Sequence, residues 1–240
     1  MSADMEQYVL EAIKHAQDDK DHEICGLVVI HKGRKDYVRC ENVADDKKNN
    51  FVISPESWVK ADEWGEIVGI VHSHPRSRPL PSQADLVGCE RSGLPWTIVN
   101  PLTEQFHVFE PTGYEAPLYG RTYCFRIMDC YTFVQDYYKQ EYGIILNEYD
   151  REDNFWEKGQ DLYMDYFAAE GFYPIQANEM LPGDAMILNI DSDIANHAAI
   201  YVGDNMIAHH LFHRLSSRDV YGGYYRKHTR LFLRHKDVNQ

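Results

Sequence analysis

Two histidines two residues apart, His72 and His74 in Val71-His-Ser-His-Pro75, are the first residues of this 240-residue chain whose types and spacing can do chemistry. They close an apolar run, Ile67 to His74, that reads as a buried strand. Alternate residues of a strand point to one face, so both imidazoles can grip one metal ion. Pro75 and the Arg76-Ser-Arg-Pro-Leu-Pro81 stretch end the strand, and Ser82-Gln-Ala-Asp85 begins a helix that returns the Asp85 carboxylate towards the same spot. Ligands of His, His and Asp type leave a fourth tetrahedral position for water, as in catalytic zinc sites, and zinc acidifies that water towards neutrality. Taken alone, Ser82 with an acid three residues on is a helix cap; its conjunction with His-x-His is what points to a metal.

Cys130 is the second such residue. In Asp129-Cys-Tyr-Thr-Phe-Val-Gln-Asp-Tyr-Tyr138 the apolar positions 133, 134, 137 and 138 share one helical face, which puts Cys130 in the first turn. The helix dipole there, and a neighbouring imidazolium, favour a thiolate. Asn196-His-Ala-Ala-Ile-Tyr-Val-Gly203 opens a strand with a histidine, turns at Gly203-Asp-Asn205 and returns through Met206 to His210. Such a hairpin brings His197 and His209 to neighbouring rungs, where one can serve as base for a nucleophilic thiol. A zinc site made of His197, His209 and His213 is the alternative use of the same side chains.

The elements that must position these groups follow from periodicity. Met5 to His15 is an amphipathic helix; Cys25 to His31 and Asp36 to Cys40 flank Lys32-Gly33-Arg34 as a hairpin; Phe51 to Ile53 reads as a short strand. A helix over Pro55 to Trp64, another over Ser82 to Ser92, and strands over Trp96 to Asn100 and Gln105 to Phe109 complete the first half. At Glu110-Pro-Thr-Gly-Tyr-Glu-Ala-Pro117 the periodicity stops, which makes this stretch the linker between two domains, 1–112 and 113–240. Beyond it a helix is expected over Cys130 to Tyr142, a polar stretch with scattered aromatics over Asn147 to Gly171, and strands over Ala185 to Ile190, Ala198 to Val202 and Met206 to His210.

Composition narrows the function. A formal charge of −14 argues against nucleic acid as a partner, because phosphate contacts need clustered Lys and Arg. No run of eighteen apolar residues exists to span a membrane, and the acidic start MSADMEQYVLEAIKHAQDDKDHE is not a secretory signal, so synthesis in the cytoplasm is expected. Five cysteines without CxxC spacing, in a chain made in a reducing compartment, do not form a disulfide framework.

With these residues in view, the first half resembles the JAMM (MPN-type) metallopeptidases: His72-x-His74, ten residues, Asp85, with Ser82 three before the Asp and an upstream Glu23-Ile-Cys-Gly-Leu27. That resemblance implies zinc held by His72, His74 and Asp85, Glu23 as general base towards the bound water, and Ser82 steadying the oxyanion. The second half is similar to the NlpC-type papain-like cysteine peptidases, through Asp129-Cys130, Pro182-Gly-Asp184 and His197-Ala-Ala-Ile-Tyr201 in that order. By this likeness Cys130 attacks, His197 accepts its proton, and a histidine twelve residues on, His209, orients that imidazole, with His210 as its alternative. Tyr119, eleven residues before Cys130, looks like the substrate-site tyrosine. Where many members read Asp-Cys-Ser-Gly, this chain reads Asp129-Cys-Tyr-Thr132, so its substrate cleft differs beside the nucleophile.

The implied fold class is α+β: a JAMM-type mixed sheet flanked by helices, followed by a papain-like α+β domain. The two domains in this order resemble the tail-tip assembly proteins of lambda-like phages. That family implies a virion tail-tip component that meets other tail-tip proteins and cuts peptidoglycan peptides, with a zinc domain that processes a peptide or isopeptide bond. Two rivals stand beside it: an assembly or binding protein whose sites do not turn over, and a zinc isopeptidase with the second domain holding substrate.

Overall fold

The computed structural model describes residues 3–238. The chain divides between Glu115 and Ala116 into two compact units.

In the first unit, α1 (Ala3–Asp18) buries Tyr8, Val9, Ala12, Ile13 and Ala16, a stripe at the i, i+4 spacing of a helix face. It is followed by β1 (Cys25–His31), β2 (Arg34–Cys40), α2 (Pro55–Trp64), β3 (Glu66–Ser73), α3 (Gln83–Ser92), β4 (Trp96–Val99) and β5 (Phe106–Phe109). The strands form one mixed sheet in the order β2-β1-β3-β4-β5, in which β3 and β4 run parallel and the other pairs antiparallel. A parallel pair needs a crossover, and α3 supplies it. The β1–β2 turn is the two residues Lys32 and Gly33, both at positive φ, the geometry that matches strand twist in a tight hairpin.

Residue alternation gives the sheet two faces. Val28, Val71 and Val99 pack with the α1 stripe, whereas Leu27, Val29, Ile70 and Trp96 pack with Ala61 of α2 and Cys89 of α3. His72 shares the parity of Ile70 and therefore looks to the α3 side. The Phe51–Ile53 segment is not a strand but a single bridge, Asn42 to Ile53. The Asn42 side chain is the cause, since its Oδ1 takes the Val52 and Ala44 amides that a ladder would otherwise use.

The second unit contains α4 (Cys130–Tyr142), α5 (Leu162–Tyr166), β6 (Phe172–Ile175), β7 (Ala185–Leu188), β8 (His197–Gly203), β9 (Met206–His209), β10 (Ser217–Val220), α6 (Gly223–His228) and β11 (Thr229–His235). Its sheet is antiparallel throughout, in the order β10-β9-β8-β7-β11-β6. α4 begins where Asp129 accepts the Tyr131 and Thr132 amides and stops at Gly143, which is left-handed at φ 69°. Its Phe133, Val134, Tyr137 and Tyr138 pack with Ile187, Ala198, Ile200, Ala208 and Leu233 of the sheet. Burying a phenylalanine as fully as Phe133 is worth about 3–5 kcal/mol against alanine. Both units are thus sheets flanked by helices, an α+β fold.

Candidate functional sites

The first site forms where β3 ends. His72 is fully buried, its ring stacked on Phe51 (centroids 4.5 Å apart) with the edge of Trp96 against it. Its Nε2 lies 3.1 Å from Nε2 of His74 and 3.0 Å from Oδ1 of Asp85, and His74 Nε2 lies 3.4 Å from Asp85 Oδ2. Two ring nitrogens and a carboxylate converge, and among the described residues this is the one such group with metal-binding geometry. His197, His209 and His213 do not form another.

Local structure fixes each member. The second nitrogen of His74, Nδ1, bonds the Arg78 carbonyl at 3.2 Å, which assigns its proton there and leaves the Nε2 lone pair facing inwards. Asn100, which the sequence did not single out, ties down the loop after β3 by donating to the His74 and Ser77 carbonyls. Asp85 is held by a capping box: Oδ2 accepts the Ser82 amide at 2.7 Å, and the Ser82 hydroxyl accepts the Asp85 amide at 3.2 Å. Burial opposes the Asp85 charge, but the contacts with the His72 ring and then the His74 ring outweigh it and hold the carboxyl well below the usual range. His72 Nδ1 is buried without a hydrogen-bond partner. An anionic oxygen and two imidazole nitrogens are the donors a zinc ion with an open position takes, so the residues fit that metal.

Glu23 sits two residues before β1. Cys25 faces His72 in the β1–β3 register and Ile24 exchanges hydrogen bonds with Ser73, so Glu23 falls opposite His74. Burial pushes its carboxyl up to about 8, with His74 lowering and Asp85 raising it. A carboxyl near neutrality beside such a site suits proton transfer.

The second site lies where α4 meets β8. The structure joins His197 to His209, Nε2 to Nδ1 at 2.9 Å, and leaves His210 out: both of its ring nitrogens are buried without a side-chain partner. Cys130 is 6 % exposed, and its sulfur bonds the Tyr163 hydroxyl at 3.2 Å and the Asn196 carbonyl at 3.9 Å. Among the described residues no hydrogen bond joins it to His197 or His209. Tyr119 is also elsewhere, with its hydroxyl on Arg218 Nε and its ring edge against Phe133. The phenol on Cys130 is Tyr163, from a stretch that the sequence shows as polar with scattered aromatics.

Burial at Cys130 works against the thiolate that a helix start favours. Burial, and then the Asp129 charge, push Cys130 up to about 11, against lowering by Tyr163, Arg151 and the Ala198 amide. Arg151 bonds the fully buried Asp129 at 2.8 Å and so neutralises part of that charge. Burial likewise takes His197 well below its ordinary value. Both shifts favour the neutral pair, thiol and imidazole. Alkylation of Cys130 by iodoacetamide, followed by peptide mass spectrometry, is therefore expected to rise about tenfold per pH unit from 7 to 10 and to level only near 11, because the thiolate is the reacting species. A plateau by pH 8 would mean an ion pair instead.

Comparison with known proteins gives the same division. Residues 5–110 match the family described as prokaryotic homologs of the JAB domain, and residues 118–234 match the NlpC/P60 family. The chain is 35 % identical to the tail tip assembly protein K of Escherichia phage N15 over 237 residues, covering 98 % of this chain and 97 % of that one. It is 38 % identical to the protein of the same name from Escherichia phage lambda over 184 residues, 77 % of this chain and 89 % of that one. Over 99 residues, 39 % of this chain, it is 34 % identical to a desampylase of Pyrococcus furiosus, of which 71 % is covered.

Proposed function

Because the chain belongs to the tail tip assembly protein K family, we propose that it is a phage tail-tip component with two peptidase centres, one in each unit. The cysteine centre cleaves peptidoglycan stem or cross-bridge peptides during infection, and the zinc centre hydrolyses a peptide or isopeptide bond, as in processing a tail protein. The proposed domains are 1–112 and 113–240, and the proposed partners are the wall peptide and other tail-tip proteins. The observation that carries the reading is Cys130 at the start of α4 with its sulfur on the carbonyl of Asn196, the residue before His197 of the bonded His197–His209 pair.

At the cysteine centre, attack requires the Cys130 side chain to leave Tyr163, a turn between staggered wells. As sulfur bonds to the scissile carbonyl carbon, the thiol proton passes to His197, through Nδ1, since Nε2 is engaged with His209. The amine leaves with that proton, and water then hydrolyses the thioester, restoring the thiol. At the first site, His72, His74 and Asp85 would hold zinc, which when bound acidifies a water and polarises a carbonyl. Glu23 takes and returns a proton at its carboxylate. Ser82, while capping α3, offers its hydroxyl hydrogen to the developing oxyanion.

Digestion of purified peptidoglycan by the full chain, read by mass spectrometry of the muropeptides, tests this. Cleaved stem peptides are expected, in equal yield with and without a chelator. Loss with chelator would move the wall activity to the zinc centre. One observation favours a second reading, a tail-assembly protein whose centres do not turn over: the thiol is buried against Tyr163. Absence of any cleavage would select it.

A further inference from the structure

The histidine pair does not end at His209. Its Nε2 lies 3.3 Å from Oδ2 of Asp219, a residue of β10, whose side chains alternate between half-buried and exposed. β10 pairs with β9, Ser217 opposite His209, so Asp219 stands two residues along on the same side. Three further groups hold its carboxylate: the Tyr225 hydroxyl donates to Oδ2 at 2.6 Å, Arg214 reaches both oxygens at 2.9 and 3.3 Å, and the Ser217 hydroxyl lies 3.4 Å from Oδ1.

We propose that Asp219 is a positioning residue of the cysteine centre, which by accepting the Nε2 hydrogen of His209 sets the tautomers of both histidines and leaves Nδ1 of His197 as the bare ring nitrogen. This rests on the cysteine-peptidase reading for its consequence in catalysis, but not for its geometry.

Counting protons gives the assignment. Asp219 is ionised at neutral pH: burial raises its carboxyl, but hydrogen bonds from Tyr225, Arg214 and His209 prevail and bring it to about 2. An ionised carboxylate only accepts, so His209 Nε2 carries a hydrogen. Burial keeps His209 neutral, with one ring hydrogen, so its Nδ1 is a lone pair. The 2.9 Å contact from that Nδ1 to His197 Nε2 is then a hydrogen bond donated by His197. His197 is neutral too, and its single hydrogen is spent on Nε2. The reverse arrangement would set the Nε2 lone pair of His209 against a carboxylate oxygen. Without Asp219 nothing chooses between the two arrangements, and in the second His197 Nδ1 carries the hydrogen and cannot take one from Cys130.

The test uses the full chain labelled with nitrogen-15 in histidine, where two-bond proton–nitrogen correlations distinguish the tautomers. In the unsubstituted protein at pH 7 both His197 and His209 are expected as Nε2–H. In Asp219→Ala the Nδ1–H form appears at His209 and His197, and kcat for muropeptide release falls in proportion to the share of the Nε2–H form that remains, about twofold at equal shares, with KM little changed. Tyr225→Phe, which removes a donor from the same oxygen but keeps the carboxylate, should retain the Nε2–H tautomers. Observation of Nδ1–H at His209 in the unsubstituted protein overturns the proposal even where Asp219→Ala does not fold. Unchanged tautomers in Asp219→Ala overturn it as well. Absence of wall cleavage by the unsubstituted protein counts against the peptidase reading and leaves the tautomer result to stand on its own.

Discussion

Cys130→Ala is expected to lower peptidoglycan cleavage by at least about 1,000-fold, while metal content stays that of the unsubstituted protein. Loss of a covalent nucleophile removes the whole acyl-transfer route, and what remains is the binding contribution alone. The change costs the fold little. It deletes one sulfur from the first turn of α4, whose cap is made by Asp129 and Thr132, not by the cysteine. The sulfur gives up only the Tyr163 hydroxyl and the Asn196 carbonyl. Unfolding by urea should therefore report a near-native midpoint beside lost activity. Residual cleavage above a few per cent would place wall hydrolysis outside this centre. The control is His74→Ala, which empties the metal site and should leave muropeptide release unchanged.

What the sequence made legible and what it left out differ in a physical way. His72, His74 and Asp85 are legible because the strand period puts the two imidazoles on one face and a short crossover returns α3 to it; the spacing is itself the geometry. α4 is legible from its apolar stripe and from Asp129, which caps it. The hairpin rungs choose His209 over His210 through strand parity, which the sequence alone left open. By contrast, the hydroxyl on Cys130 comes from Tyr163, 33 residues away in a segment with no hydrophobic period, and Tyr119, taken from the family pattern, is turned to Arg218. β6, β10 and β11 also carried weak signals. β6 has Pro174 and lies at the sheet edge, where a missing amide is tolerated. The other edge, β10, alternates intermediate with exposed residues and so resembles a loop in composition. Asp219 is hidden in it for that reason. Spacing favours a thiolate at Cys130 but does not carry the depth of its burial, which pushes the thiol the other way.

Removal of the metal is expected to act on the first unit and to do so strongly. All three candidate ligands and Glu23 belong to that unit, so a zinc ion that binds the folded form and not the unfolded one stabilises it by mass action. At a free concentration a thousand times the dissociation constant the gain is about 4 kcal/mol. Calorimetry of the full chain should then show one transition that falls by roughly 10–20 °C on adding a chelator and recovers with zinc, while the transition of the second unit stays in place. Asp85→Ala should mimic the chelator and lose a little more, because Asp85 also accepts the Ser82 amide in the cap of α3, a bond worth about 1 kcal/mol. Adding the chelator to Asp85→Ala should change nothing further. A chelator that lowers the transition of Asp85→Ala as far as that of the unsubstituted protein would mean that the metal sits elsewhere. Equal shifts in both transitions would mean that the two units do not unfold independently.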